Sequence, residues 1–298
     1  MLKKRLFALL MFTGVTRLLA YLNRRRVMIL CYHSVTLRQT PISSEDKLHI
    51  PFSLFVKHLE HLQRFYNIIS LEAFLEARCE TRNLPPRSVV LTFDDGTRNF
   101  FTVAAPELNR RRLPATTFII TGQTLPNVPV SSNHEWQPAD DHIFLSWPDV
   151  QELNDDRIQF GSHTCSHTSL VDLPLEQAEK ELIQSRVELS HRLKRNQLAL
   201  SYPYGDCSHA IRALAQKAGY SCGITTTPGN NDIESDLFAL KRTVIAGDDD
   251  LSTFAARVCG LTSWFSSIRY KRPPKMHSAA DNSLSYASAS IQEADPSS

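Results

Sequence analysis

Short-range cysteine pairs are missing from this chain. Its six cysteines, Cys31, Cys79, Cys165, Cys207, Cys222 and Cys259, show no Cys-x-x-Cys spacing and no dense framework. They read as buried or incidental thiols, although the even count leaves disulfides open. Acidic groups are absent from residues 1–26, which hold seven basic side chains (Lys3, Lys4, Arg5, Arg17, Arg24, Arg25, Arg26). The remainder carries 26 basic against 31 acidic groups, so a net charge of +2 hides a basic N-terminus on an acidic body. That asymmetry argues against a nucleic-acid partner and toward an anionic membrane surface. No small-x-small cleavage site follows the apolar stretch 6–15, which argues against a removable secretory signal. Residues 273–298 hold almost no large apolar groups, and a disordered tail is expected there.

The segment LFALLMFTGVTRLLAYL near the N-terminus is interrupted by Arg17 and is short for a spanning helix. Residues 1–26 are read as a basic, apolar helix suited to peripheral membrane contact through its Leu and Phe side chains and the Arg24–Arg26 cluster. A helix packed on its own domain and an uncleaved signal anchor remain alternative readings of the same residues.

An apolar fraction of 42% with 21% charged residues fits a soluble globular protein with a sizeable core. From residue 27 onward, short β-rich runs alternate with helical ones. VMILCYH, SVVLTF, ATTFII, RIQFGSH, LALSYP, YSCGITT and LKRTVI read as buried strands. Helical patterns cover 53–66, 71–77, 98–112, 148–154, 175–194, 208–218 and 251–258. Seven strand–helix repeats predict an α/β fold with a parallel sheet closed, or nearly closed, into a barrel. Residues 121–146 are too long for a plain connection and read as a lid or substrate-contacting loop. No internal repeat is visible.

Polar clusters sit at the C-terminal ends of three predicted strands, where parallel barrels build their sites. Asp94 and Asp95 follow VVLTF, His163 and His167 follow IQFGS, and YPYG follows LALS. Two histidines four residues apart can face one cation, and a neighbouring carboxylate completes a site that suits Zn²⁺, with Co²⁺, Mn²⁺ or Ni²⁺ also accommodated. Two adjacent aspartates then divide the work, one as ligand and the other as proton acceptor. Taken singly, the His pair also fits a protein surface and Asp-Asp-Gly also fits a solvated turn.

LTFDDG, FGSHTCSH and SYPYG, in this order, resemble the polysaccharide deacetylases of carbohydrate esterase family four, the NodB-homology domain. MILCYHSV and FALKR resemble the subset with a Tyr-His strand end and an arginine-bearing closing strand. The resemblance covers residues 27–260 and implies an irregular (β/α)7 TIM-like barrel, with 1–26 before it and a largely disordered tail at 261–298. It further implies a metal-dependent hydrolase, most simply a zinc enzyme, that removes N-acetyl groups from an acetylated glycan. A bacterial cell-surface or exopolysaccharide role follows, with the protein membrane-associated or cytoplasmic. An amide hydrolase on a non-sugar substrate and a weakened carbohydrate-binding homologue are the alternatives.

By position, the resemblance makes Asp94 the general base and Asp95, His163 and His167 the metal ligands, with Thr164 bracing the loop. Tyr204 would offer its backbone N–H to the oxyanion, next to Pro203 in the substrate site. Two departures stand out. Ser201 occupies the position of an arginine that tethers the base, and Arg242 is the expected replacement. A Leu-x-His motif is absent from VIAGDDDLSTFAARVCG, leaving His33 as the candidate acid. Trp136 is a candidate sugar platform. His134, Asp140, Asp141 and His142 read as solvated loop residues, and GDDD at 247–250 reads as a helix N-terminus.

Overall fold

The computed structural model describes residues 2–38, 47–126 and 142–261. The chain opens with helices α1 (Leu2–Phe12) and α2 (Val15–Leu22), then β1 (Val27–Tyr32) and the short pair β2 (Ser34–Thr36) and β3 (His49–Pro51). There follow α3 (Phe52–Phe65), β4 (Asn67–Ile69), α4 (Leu71–Cys79), β5 (Ser88–Phe93), α5 (Ala105–Arg111) and β6 (Ala115–Ile119). The second half runs through α6 (Trp147–Leu153), β7 (Ile158–Ser162), α7 (Leu175–Leu193), β8 (Ala199–Ser201) and α8 (His209–Lys217). It closes with β9 (Cys222–Ile224), β10 (Asn230–Asn231), β11 (Thr243–Val244) and α9 (Leu251–Val258).

The sheet path is β10-β1-β5-β6-β7-β8-β9, with β4 also on β5 and β11 also on β1. Every pairing in it is parallel except β1 with β10. Leu240 bridges Ile224 at one edge, and just beyond it β11 pairs with Leu30 and Cys31 at the other. The seam of a curled sheet is thereby drawn together. This is the barrel expected from the strand–helix alternation, with all seven predicted strands present, SVVLTF at its full length as β5 and the other six shortened.

Strand parity decides which side chains face inward. Val27, Ile29, Val90, Phe118, Ala199, Ile224 and Leu240 form one buried cluster, joined by Leu71 and Phe74 of α4. The alternate residues Met28, Leu30, Tyr32, Leu91 and Phe93 form the other, against Phe55 and Leu59 of α3 and Phe254 of α9. Continuing the first parity brings Cys31, Asp94, His163 and Ser201 to the interior at the strands' C-terminal ends.

Three local differences from the expectation have local causes. The N-terminal helix breaks after Phe12, where Gly14 takes φ 80, and its two parts meet at 73°. The helix expected over 98–112 begins instead as a π turn, Phe100–Ala104, and runs on as α5. Strands β2, β3, β4 and β10 are two or three residues long, too short to give a period-2 signal. The expected N-terminus at GDDD is present, with the Asp250 side chain accepting the Thr253 N–H. All six cysteines are free.

Candidate active site

Asp94 immediately follows β5, with both carboxylate oxygens engaged. Its Oδ1 and Oδ2 accept from Arg242 Nη1 and Nη2 at 2.6 and 2.7 Å, a bidentate fork between two almost fully buried residues. Ser201 Oγ donates to Asp94 Oδ2 at 3.3 Å and Cys31 Sγ lies 3.5 Å from the same oxygen. Arg242 further donates Nη2 to Ser201 Oγ, Nη1 to Thr92 Oγ1 and Nε to the Thr225 carbonyl, so all five guanidinium N–H groups have acceptors. Burial alone would raise the Asp94 carboxyl; the Arg242 guanidinium, helped by His163 and His33, holds it well below the usual carboxylate range. The pairing thus favours the ionised form of the Asp94 carboxyl.

The structure thus places Arg242 on the carboxylate it was expected to tether. Serine at 201 leaves the volume that the guanidinium fills, and its hydroxyl becomes a shared partner of both ions. The arginine reaches this point from the residue preceding β11, across the barrel interior.

Asp95 follows in a left-handed conformation at φ 72, and this turns it out of the β5 parity. Gly96, also left-handed, packs where any Cβ would lie 2.6 Å from Ile119 Cγ2, so the turn cannot accept a larger residue without movement. The last residues of the long loop close over it: Leu145 N donates to Gly96 O and Arg98 N to Ile143 O.

His163 and His167 face Asp95. His163 Nε2 is 3.6 Å and His167 Nε2 3.7 Å from Asp95 Oδ1, and the two nitrogens are 3.2 Å apart. Three ligands about 2.1 Å from one tetrahedral cation would be separated by about 3.4 Å. The triangle therefore fits a zinc-like ion. His163 Nδ1 lies 2.8 Å from the Ser201 carbonyl, which fixes its proton there and leaves the Nε2 lone pair directed at Asp95 and His167. Burial pushes His163 down to about 3 and lowers His167 as well, so both imidazoles are neutral, as ligands must be. Asp95 is raised, first by burial and next by the Asp94 charge. A cation would offset both effects.

The loop carrying the histidines is strained and braced. Thr164 and His167 have φ 65 and 60, and Tyr204 has φ 60, so the turns around the site share with Asp95 a conformation uncommon for non-glycine residues. Thr164 Oγ1 accepts the His167 N–H at 3.1 Å, and the Glu181 carboxylate of α7 accepts the N–H groups of Cys165 and Ser166 at 2.9 and 2.8 Å. No sequence signal marked Glu181, because it sits on a charged helix one loop away.

Tyr204 lies in the turn Pro203–Gly205 after β8, its ring 4.9 Å from that of His167. His33 sits beyond β1, with its Nδ1 3.9 Å from Cys31 Sγ, close enough to Asp94 and Asp95 to help ionise both. His49 of β3 also acts on Asp95, and its ring packs 5.4 Å from His142. Neither His49 nor Cys31 was singled out by sequence. Trp136 lies outside the described residues, as do His134, Asp140, Asp141 and the C-terminal tail.

Residues 81–223 match the model of the family described as polysaccharide deacetylase. YxkH of Bacillus subtilis, assigned to the polysaccharide deacetylases, is 26% identical over 235 residues, covering 78% of this chain and 76% of its own. A poly-beta-1,6-N-acetyl-D-glucosamine N-deacetylase of Staphylococcus epidermidis is 24% identical over 60% of this chain and 62% of its own. Among solved structures, the Streptococcus pyogenes deacetylase PplD in complex with acetate aligns over 79% of this chain and 99% of its own. Its TM-score is 0.67 at 23% identity, a likeness of fold. These matches bear out the resemblance seen in LTFDDG, FGSHTCSH and SYPYG, and the barrel it implied.

Proposed function

We propose, with a barrel of the polysaccharide deacetylase type as premise, that the protein hydrolyses N-acetyl groups on a glycan and releases acetate. The observation that carries this reading is the division of the Asp94–Asp95 pair. One carboxylate is clamped as an ionised base, and the other is turned toward two neutral imidazoles.

A divalent cation held by Asp95, His163 and His167 would supply the positive charge that polarises the acetyl oxygen and acidifies a water molecule. Zn²⁺ suits one carboxylate and two imidazoles best. Asp94 accepts the water proton while Arg242 keeps the carboxylate oriented. The Tyr204 N–H, in the turn beside His167, is assigned to the developing oxyanion; a donor so placed contributes about 3–4 kcal/mol. His33 is the proposed donor of the proton that the leaving amine requires. The substrate class rests on the sequence relatives, including the N-acetylglucosamine deacetylase of Staphylococcus epidermidis.

The test is acetate release from poly-N-acetylglucosamine and chitooligosaccharides by the metal-loaded protein, with and without chelator. Release that stops on chelation and returns with Zn²⁺ or Co²⁺ is expected. Absence of chelator-sensitive release across these glycans would overturn the reading.

A further inference from the structure

Large apolar side chains are exposed unevenly. Leu6, Leu9, Phe12, Leu18, Tyr21 and Leu22 all lie on α1 and α2, with Phe12 92% and Leu22 65% accessible, while the other six among the described residues are dispersed from Leu37 to Ile233. The hairpin is nevertheless anchored along its other side. Phe7, Thr16 and Ala20 are buried, the Arg17 guanidinium stacks 5.0 Å over the Phe65 ring, and Asn23 Nδ2 donates to the Cys259 carbonyl after α9. A firmly seated helix pair thus concentrates exposed apolar side chains that the barrel does not cover.

The same segment carries exposed cations. Arg5, Arg25 and Arg26 are exposed, and no acidic side chain occurs in residues 1–26. No single helix here is long and apolar enough to cross a membrane. At 11 and 8 residues, α1 and α2 are about 16 and 12 Å long, against about 30 Å of bilayer hydrocarbon. The 73° bend favours lying along an interface over threading it.

α1 and α2 pack against α9, and two of their further attachment points lie at one end of the barrel. Arg24 accepts the Arg87 N–H immediately before β5 begins, and Phe65 precedes β4. These are the N-terminal ends of parallel strands, whereas Asp94, His163 and Tyr204 stand at the C-terminal ends. The six residues of β1 separate the two ends by about 20 Å.

We propose that the α1–α2 hairpin is a monotopic docking surface for an anionic lipid bilayer, which holds the barrel by its floor and turns the mouth away from the lipid. The occupant is inferred from the joint presence of apolar side chains and uncompensated arginines, since a second copy would bring the same positive charge to the contact. The inference does not depend on the reaction or the metal, so it stands or falls separately from the proposed function.

The test is co-sedimentation of the full chain with phosphatidylcholine vesicles, with and without phosphatidylglycerol. Binding to the anionic vesicles, weakened by salt, is expected. Phe12→Glu should lower the partition coefficient at least about tenfold, and Arg25→Ser with Arg26→Ser about fivefold per charge. Both changes are at exposed positions, and unchanged melting would show that the fold is retained. To read orientation, a dye is placed on exposed Cys79, or on Thr168→Cys beside the site, in a Cys79-free chain for the latter and with Cys165 and Cys207 replaced by Ser throughout. Energy transfer to a lipid-borne acceptor should be the stronger from Cys79. Equal binding to neutral vesicles, binding indifferent to Phe12→Glu, or lipid-free dimers abolished by Phe12→Glu with no vesicle binding would overturn the docking surface. Stronger transfer from position 168 would overturn the orientation.

Discussion

At the scale of single residues, Arg242 determines what Asp94 can do. Its fork orients both carboxylate oxygens, a geometry that a lysine cannot reproduce because it offers one point charge instead of a planar pair of donors. Arg242→Lys is expected to lower kcat by about tenfold or more with KM nearly unchanged, since the base is misdirected while the glycan contacts remain. Steady-state kinetics on an acetylated chitooligosaccharide would check the split. The need for a tether could be inferred from Ser201, where a serine stands in an arginine's place, and Arg242 was visible at a strand end. The sequence did not reveal that the serine would bond to both ions, because that depends on β8 and the β11 lead-in facing each other across the barrel. Cys31 likewise emerged only once strand parity brought its thiol within 3.5 Å of Asp94.

At the scale of elements, α7 does more than cover the sheet. Its Glu181 carboxylate receives two N–H groups of the histidine loop, where Thr164 and His167 both hold left-handed conformations. Glu181→Ala should release that loop and weaken Zn²⁺ or Co²⁺ affinity by about 10–100-fold, while the melting temperature of the metal-free protein changes little. Calorimetric titration alongside thermal unfolding distinguishes a bracing role from a general loss of fold. The helix itself was legible from its apolar period, as were the seven main strands from their β-branched runs. The π turn at Phe100–Ala104, the break at Gly14 and the pairing of β2 with β3 were not. Such features arise where tertiary contacts prevail over short stretches whose own pattern carries little information.

For the whole molecule, buried neutral histidines tie stability to pH. His58 is sandwiched in the core, its ring stacked 3.8 Å from that of Phe254 and its Nδ1 3.4 Å from Tyr32 Oη. Burial pushes it down to about 3, with the His61 charge adding slightly, and His61 is pushed down to about 4 by burial and by Arg17 and Arg64. Both folded values lie below the usual 6.5, so the unfolded chain binds more protons between them. The stabilisation is complete above pH 6.5 and is lost progressively as pH falls toward 3. For His58 alone the loss between pH 7 and pH 5 is about 2 kcal/mol. Urea unfolding of the metal-free protein at these two values should show at least this drop, and His58→Leu should reduce it by about that amount, the rest coming from His61 and His163. The packing of Arg17 near His61 also means that the N-terminal hairpin shares in the acid response.

The seam of the barrel has a practical corollary for biochemistry on this protein. Arg242 sits between Leu240, which bridges β9, and Thr243, which pairs with β1, so its bond to Asp94 runs from the closing edge of the sheet to its centre. Deleting the base would leave a guanidinium with no countercharge at the join, a defect of about 3–5 kcal/mol. An Asp94→Ala protein is thus a poor inactive reference, because lost turnover and a loosened closure would arrive together. Asp94→Asn, which retains the shape and one acceptor oxygen, offers a cleaner comparison.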